Sequence, residues 1–259
     1  PVRLKVCGWK LPDPADYTTW VDIVQSPESV ALEYHVPVWS DAHFRYLEKS
    51  IKLLGQVGNK VVYLHLIAKT NHGNAETIVR WKKQPDGSYK HDFSPLERYL
   101  DLVVKYLHRP AVVCLYVHDY HCNKSTGSRW ADPQFGKAKK EKSGRVPVTG
   151  LRPDGTTYEL LLPAYDDPKS KALWKPVIDG VRRRLEARGL ASGMMFGISS
   201  DFHPDEFIVM HFKELSPETP WVSQGHAMPT NLYGVPVKYL TGVYAAGRFP
   251  RDPSTERTY

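Results

Sequence analysis

Two apolar runs in this chain each stop abruptly in a cluster of ionisable residues, and that pattern restricts the fold more than any other feature. The first is Val112-Val113-Cys114-Leu115-Tyr116-Val117, followed by His118-Asp119-Tyr120-His121. The second is Met194-Met195-Phe196-Gly197-Ile198, followed by Ser199-Ser200-Asp201-Phe202-His203-Pro204-Asp205-Glu206. A short run that is apolar throughout reads as a strand buried on both faces, as in a parallel sheet covered by helices. In such folds the loops after the strands converge on one mouth, where ligands bind. Two such strands in one chain predict a barrel with an active face, and so an enzyme.

The rest of the chain fits that outline. A strand is expected over 29–35, a helix over 42–56 capped by Ser40 or Asp41, and a strand over 60–67. A hairpin joins 77–82 to 88–92 through the turn Pro85-Asp86-Gly87. Ser94-Pro95-Leu96-Glu97 has the form of a capping box with proline in the first turn, starting a helix that runs to about His108. A strand over 111–117, a helix from Asp167 or Pro168 to 188, a strand over 193–198, a helix over 204–215 and strands at 221–225 and 237–243 follow. Strand–helix alternation of this kind argues for a parallel sheet with right-handed crossovers. The expected fold is a (β/α)8-type, TIM-like barrel, incomplete or truncated at its C-terminus. It comprises an irregular segment 1–28, a barrel over 29–247 with an insertion at 120–168, and a tail over 248–259. An open doubly wound sheet is the runner-up, but no glycine-rich dinucleotide loop supports it.

Composition narrows the class. Hydrophobic residues make up 41% of the chain, enough for a sizeable core. No run of about 18 apolar residues is present to span a membrane. The start, Pro1-Val2-Arg3-Leu4, lacks both Met and a signal-like apolar region, and reads as a processed or partial product. The net charge is +7, concentrated at Lys137, Lys139, Lys140, Lys142 and Arg145 and at Arg182, Arg183, Arg184 and Arg188. Such clusters contact phosphate or acidic polysaccharide, or are simply a solvated loop and helix face. The loop has few interleaved aromatics, which disfavours a single-strand nucleic-acid groove. Of three cysteines, Cys114 reads as a small buried hydrophobe, and Cys7 with Cys122 has the option of a disulfide.

Candidate chemistry gathers at the strand ends. Glycosidic bond cleavage calls on two carboxyl groups, one to protonate the leaving oxygen and one to activate water, attack, or steady a substrate group. Asp201 lies just past a buried strand and Asp119 just past another, with Glu206 at the start of the next helix. The alternative for Glu206 and Asp205 is that they complement a helix N-terminus. His118, His121, His203 and His226 stand near strand ends, and His72 and Asn74 lie in a loop after the 60–67 strand, with Trp81 close behind. Imidazole, amide and indole groups suit a polyhydroxylated ligand. The histidines also admit a zinc-type site, although no HExxH or compact ligand spacing is present. No Gly-x-Ser-x-Gly elbow and no Walker loop appear.

The stretch Gly73-Asn74-Ala75-Glu76-Thr77-Ile78-Val79-Arg80-Trp81, with Pro85-Asp86-Gly87-Ser88-Tyr89 and Asp92-Phe93-Ser94-Pro95-Leu96-Glu97-Arg98-Tyr99-Leu100-Asp101, resembles bacterial glycoside hydrolase domain-containing proteins. These are distant relatives of the family 123 β-N-acetylgalactosaminidases, and the resemblance runs over roughly residues 55–226. It implies a TIM-type barrel, an extracellular (secreted or periplasmic) oligo- or polysaccharide substrate, flanking β-sandwich domains and no cofactor. It also implies substrate-assisted catalysis, in which the N-acetyl group of the sugar attacks, steadied by an Asp, with a neighbouring Glu as general acid. The family's Asp-Glu pair is broken here: Asp201 matches the Asp, but Phe202 follows it. The expected assignment is Asp201 as the steadying or base carboxylate, Glu206 or Asp119 as the acid, the histidines and Asn74 on sugar hydroxyls, and Trp81 stacked on a sugar. A metal-dependent hydrolase and a non-catalytic glycan-binding barrel are the rival readings.

Overall fold

The computed structural model describes residues 2–18, 20–124, 144–199, 203–225 and 229–242. Five helices and ten strands organise these residues, and they lie in two sheets. In chain order the elements are α1 (Pro27–Glu33), α2 (Asp41–Gln56), β1 (Val61–His65), β2 (Arg80–Lys83), β3 (Tyr89–Asp92), α3 (Ser94–Leu107) and β4 (Val112–Tyr116). They continue with β5 (Val146–Leu151), β6 (Thr157–Leu162), α4 (Ser170–Glu186), β7 (Met194–Ser199), α5 (Glu206–Leu215), β8 (Trp221–Gly225), β9 (Asn231–Leu232) and β10 (Val235–Gly242).

The main sheet has the order β1-β4-β7-β8-β10-β9, parallel throughout except for the short β9. The apolar runs behave as their composition demands: β1 and β4 are buried at every position. On the helix side, Phe196 of β7 and Trp221 of β8 pack on Phe212 of α5, which meets Trp174 of α4. A second sheet, β3-β2-β5-β6, is built from two hairpins joined in parallel between β2 and β5. Part of the expected insertion is therefore regular structure.

Alternation along the strands selects the other face of the main sheet. Tyr63 and His65 point there from β1, Cys114 and Tyr116 from β4, Gly197 from β7 and Tyr239 from β10. A side chain at Gly197 would lie within 2.5 Å of the Cys114 sulfur and 3.3 Å of Val222, so glycine lets β4 and β8 approach across β7. The sheet is curled: Tyr63 and Tyr239, from strands four places apart in its order, donate hydrogen bonds to the same Asp22 oxygen at 2.8 and 2.9 Å. Among the described residues no ladder joins β1 to β10. The fold is mixed α/β, and these residues form a curled sheet rather than a complete eight-stranded barrel.

Several expectations need correction. Residues 29–35 were expected to be a strand, but most of them lie in α1. Ser26 accepts the Ser29 N–H at its N-cap and Pro27 occupies the first turn, so start signals outweigh the apolar run. The segment 1–28 is not wholly irregular, because Val21 makes a parallel bridge to Asn59. The capping box at Ser94 does not form. Asp92 takes the Ser94 N–H at 2.9 Å, while Glu97 pairs with Arg184 and Arg188, each at 2.7 Å. Helix α4 starts at Ser170, later than Asp167 or Pro168. Cys7 and Cys122 are both free, the first exposed and the second buried, so the disulfide option is not taken up. Lys137 to Lys142 and the tail 248–259 lie outside the described residues. No helix among the described residues is long and apolar enough to cross a membrane.

Candidate active site

Where β1 and β4 end, aromatic and imidazole rings replace aliphatic side chains. His65 closes β1, and its Nε2 lies 3.2 Å from Nδ1 of His72 in the loop beyond. Burial drives the His65 pKa down to about 3 and also lowers that of His72, although Asp119 opposes the second shift. Both rings are therefore neutral near pH 7, and one N–H serves the pair. Tyr116 stacks on His65 with centroids 5.2 Å apart and stands edge-on to His72 at 4.9 Å. The Tyr116 hydroxyl donates to Asp119 Oδ2 at 2.8 Å and also contacts the Asn71 amide oxygen.

Asp119 holds the rim together. Its Oδ2 also accepts the Asn71 N–H at 2.9 Å, and Oδ1 accepts the Tyr120 N–H at 2.6 Å. A second acid continues the polar face inward. Asp22 enters between β1 and β10, its backbone fixed by Lys60 N–H to Val21 at 2.9 Å and Ile23 N–H to the Asn59 side chain at 2.8 Å. Desolvation raises the Asp22 pKa, against the lowering effect of its hydrogen bonds. The Tyr63 ring then reaches back to His72, edge-on at 5.6 Å.

A third network ties the loop after β4 to the chain around the second ionisable cluster. His118 is buried, with Nδ1 2.9 Å from the Ile198 carbonyl and Nε2 2.9 Å from Asn123 Oδ1. Asn123 donates to the His203 carbonyl at 2.8 Å and accepts the Asp205 N–H at 3.1 Å. The Val117 and His118 N–H groups both meet the Gly197 carbonyl, at 2.6 and 3.2 Å. The residues on either side of 200–202 are thus held by the β4 loop.

Of the residues singled out in the sequence, His72 and Asp119 come together as expected. His121 is half-buried nearby, with its pKa lowered by burial against the field of Asp119. Glu206 is exposed at the first position of α5, and His203 is exposed just before it. Asp201 and His226 lie outside the described residues. Three expectations are corrected. Trp81 is fully buried, edge-on to Trp174 at 5.6 Å and to His91 at 4.4 Å, so it fills the core under the second sheet and cannot stack on a sugar. Asn74 is buried and braces its own loop, donating to the Ile67 and Glu76 carbonyls and accepting from Thr70. His118 commits both ring nitrogens to the loop network, which makes it a structural residue. The arginine cluster is partly internal too: Arg182 bonds Ser216 and Thr219, and Arg184 and Arg188 bind Glu97.

Sequence reasoning missed His65, Tyr63, Tyr116, Asn71, Tyr239 and Asp22. The signal for the first three was available: ring-bearing polar residues at period two inside apolar strands mark one face that is not pure core. Asp22 lies in a stretch with no strand pattern, and nothing local announces it. Among the described residues no group of three or more His, Cys, Asp or Glu side chains is placed to hold a metal ion.

Comparison with known proteins agrees with the mixed α/β fold. A solved family 123 glycoside hydrolase from Clostridium perfringens, described in terms of glycolipid glycan hydrolysis, superposes with a TM-score of 0.57 at 12% identity. The match covers 83% of this chain and 36% of that one, so the chain spans about a third of the length of this relative. Among proteins with curated functions, none matches. The family model for the catalytic domain of glycoside hydrolase 123 matches residues 24–219, from just before α1 to just past α5. This chain belongs to the glycoside hydrolase 123 catalytic-domain family.

Proposed function

We propose that the protein hydrolyses a glycosidic bond in an extracellular glycan that carries an N-acetylhexosamine, by substrate-assisted catalysis. The observation that carries this reading is the clustering of His65, His72, Tyr116, Asn71 and Asp119 at the ends of adjacent parallel strands, in a chain of a glycosidase family. Neutral imidazoles, a phenol and an amide offer donors and acceptors to sugar hydroxyls without the desolvation cost of a bare charge.

In this reading Asp201 is the carboxylate that steadies the attacking N-acetyl group. The β4 loop braces Ile198 and His203, the described residues that flank Asp201 in the sequence. Asp119 positions Tyr116 and the Asn71 loop, since its oxygens already accept three protein hydrogen bonds. Glu206 is then the carboxylate for proton donation to the leaving oxygen. The test is release of 4-nitrophenol from a panel of 4-nitrophenyl glycosides. Turnover is expected on the β-N-acetylgalactosaminide and not on α-anomers or sugars lacking the 2-acetamido group.

One observation favours a second reading, a glycan-binding barrel without turnover: Phe202 stands where the family has its acid. Binding of the same sugars with no nitrophenol release from any glycoside would select it.

A further inference from the structure

The seam between β1 and β10 carries a feature that the rim does not use. Trp20 stacks on Tyr239, with ring centroids 5.6 Å apart and planes 25° from parallel, and Trp20 remains 39% exposed. Trp81, Trp174 and Trp221, by contrast, are all fully buried. A tryptophan that only filled the gap between two strands would be covered like these three.

The platform is also braced by hydrogen bonds from behind. Tyr239 donates its hydroxyl to Asp22 at 2.9 Å, and Asp22 shares that oxygen with Tyr63. The backbone on either side of Asp22 is pinned to Asn59 and Lys60. An exposed indole backed by the Tyr239 ring presents an apolar plane on a braced support. The C–H face of a pyranose packs on such a plane.

We propose that Trp20, backed by Tyr239, which Asp22 braces, forms a subsite for a pyranose ring of the glycan next to the one that is cleaved. The neighbouring ring is the fitting occupant because the rim gathers His65, His72, Tyr116 and Asp119 where β1 and β4 end, whereas Trp20 stacks on Tyr239 of β10, across the seam from β1. The inference rests on the glycosidase reading for its substrate class, but its test does not need turnover.

Calorimetric titration with N-acetylgalactosamine and with a tetrasaccharide containing β-linked N-acetylgalactosamine, on wild type, Trp20→Ala and Trp20→Phe, decides it. Trp20→Ala should weaken tetrasaccharide binding about tenfold or more, the loss of roughly one aromatic stacking contact. The loss should be larger for the tetrasaccharide than for the monosaccharide, and where turnover occurs it should appear in KM more than in kcat. Trp20→Phe should recover most of the affinity. Equal tetrasaccharide affinity in Trp20→Ala and wild type overturns the proposal. So does an equal loss for both sugars, or a wild type that binds the tetrasaccharide no better than the monosaccharide. A wild type that binds but never hydrolyses retracts the glycosidase reading alone.

Discussion

Removing the Asp22 carboxylate should open the seam of the curled sheet, and the size of the effect can be worked from its contacts. Two phenols, Tyr63 and Tyr239, donate to one carboxylate oxygen, and Tyr63 is only 3% exposed. Hydrogen bonds to a charged group contribute about 1.5–3 kcal/mol each, and a buried donor left without a partner costs about 1–3 kcal/mol. Against this stands the desolvation of Asp22 itself, which its raised pKa reveals. The net expectation for Asp22→Ala is a loss of about 2–4 kcal/mol in urea unfolding at pH 7, and for Asp22→Asn, which keeps one acceptor, about 1 kcal/mol. A double mutant with Tyr63→Phe should lose about 1–2 kcal/mol less than the sum of the single losses, because both changes remove the same bond. Because folding raises this pKa, the folded state holds the Asp22 proton more tightly. Its contribution to stability is therefore greatest at low pH and falls as pH rises through the folded pKa. An Asp22→Ala protein within about 0.5 kcal/mol of wild type, or strict additivity with Tyr63→Phe, would refute the bridging role.

Three further outcomes are expected. Trp81→Ala should cost about 3–5 kcal/mol of stability, as deletion of a buried indole does, while KM of the folded fraction stays unchanged; a raised KM at unaltered stability would restore Trp81 as a sugar platform. Buried His65 and His211 have pKa values pushed down to about 3 and about 4. The unfolded chain binds these protons more tightly, so stability should fall as pH drops from about 6.5 toward 4, by on the order of 1–2 kcal/mol per residue between pH 7 and 5. Denaturant unfolding at the two pH values checks this, and an unchanged slope in His211→Leu would exclude that ring as a source. His72→Ala should lower kcat/KM on a cleaved glycoside by roughly 10–100-fold, the scale of losing one or two positioning contacts. Full activity in that variant would remove the rim from the site.

The parts of this fold legible in the sequence were those where local pattern and tertiary role coincide. The buried runs of β1, β4 and β7 and the Pro-Asp-Gly hairpin turn carry their signals within a few residues. Residues 29–35 misled because an apolar stretch this short fits a strand as well as a helix, and the deciding cap, Ser26, stands three residues upstream. The strand ends marked where ionisable side chains gather, and His72 and Asp119 meet there. Trp81, Asn74 and His118 were misassigned because residue type does not reveal which face is solvated. Trp81 lies beneath a second sheet that exists only once β2 pairs with β5, a contact nearly 70 residues distant in sequence. Asp22 was invisible for the same reason: its partners, Tyr63 and Tyr239, are 41 and 217 residues away.

The most direct measurement is the turnover of Asp201→Asn with the best glycoside of the panel, taken beside its thermal midpoint. The expected result is a kcat at least about 100-fold below wild type, the scale of losing one charge-stabilising group, with the midpoint unchanged. Wild-type kcat in a folded Asp201→Asn protein would contradict it.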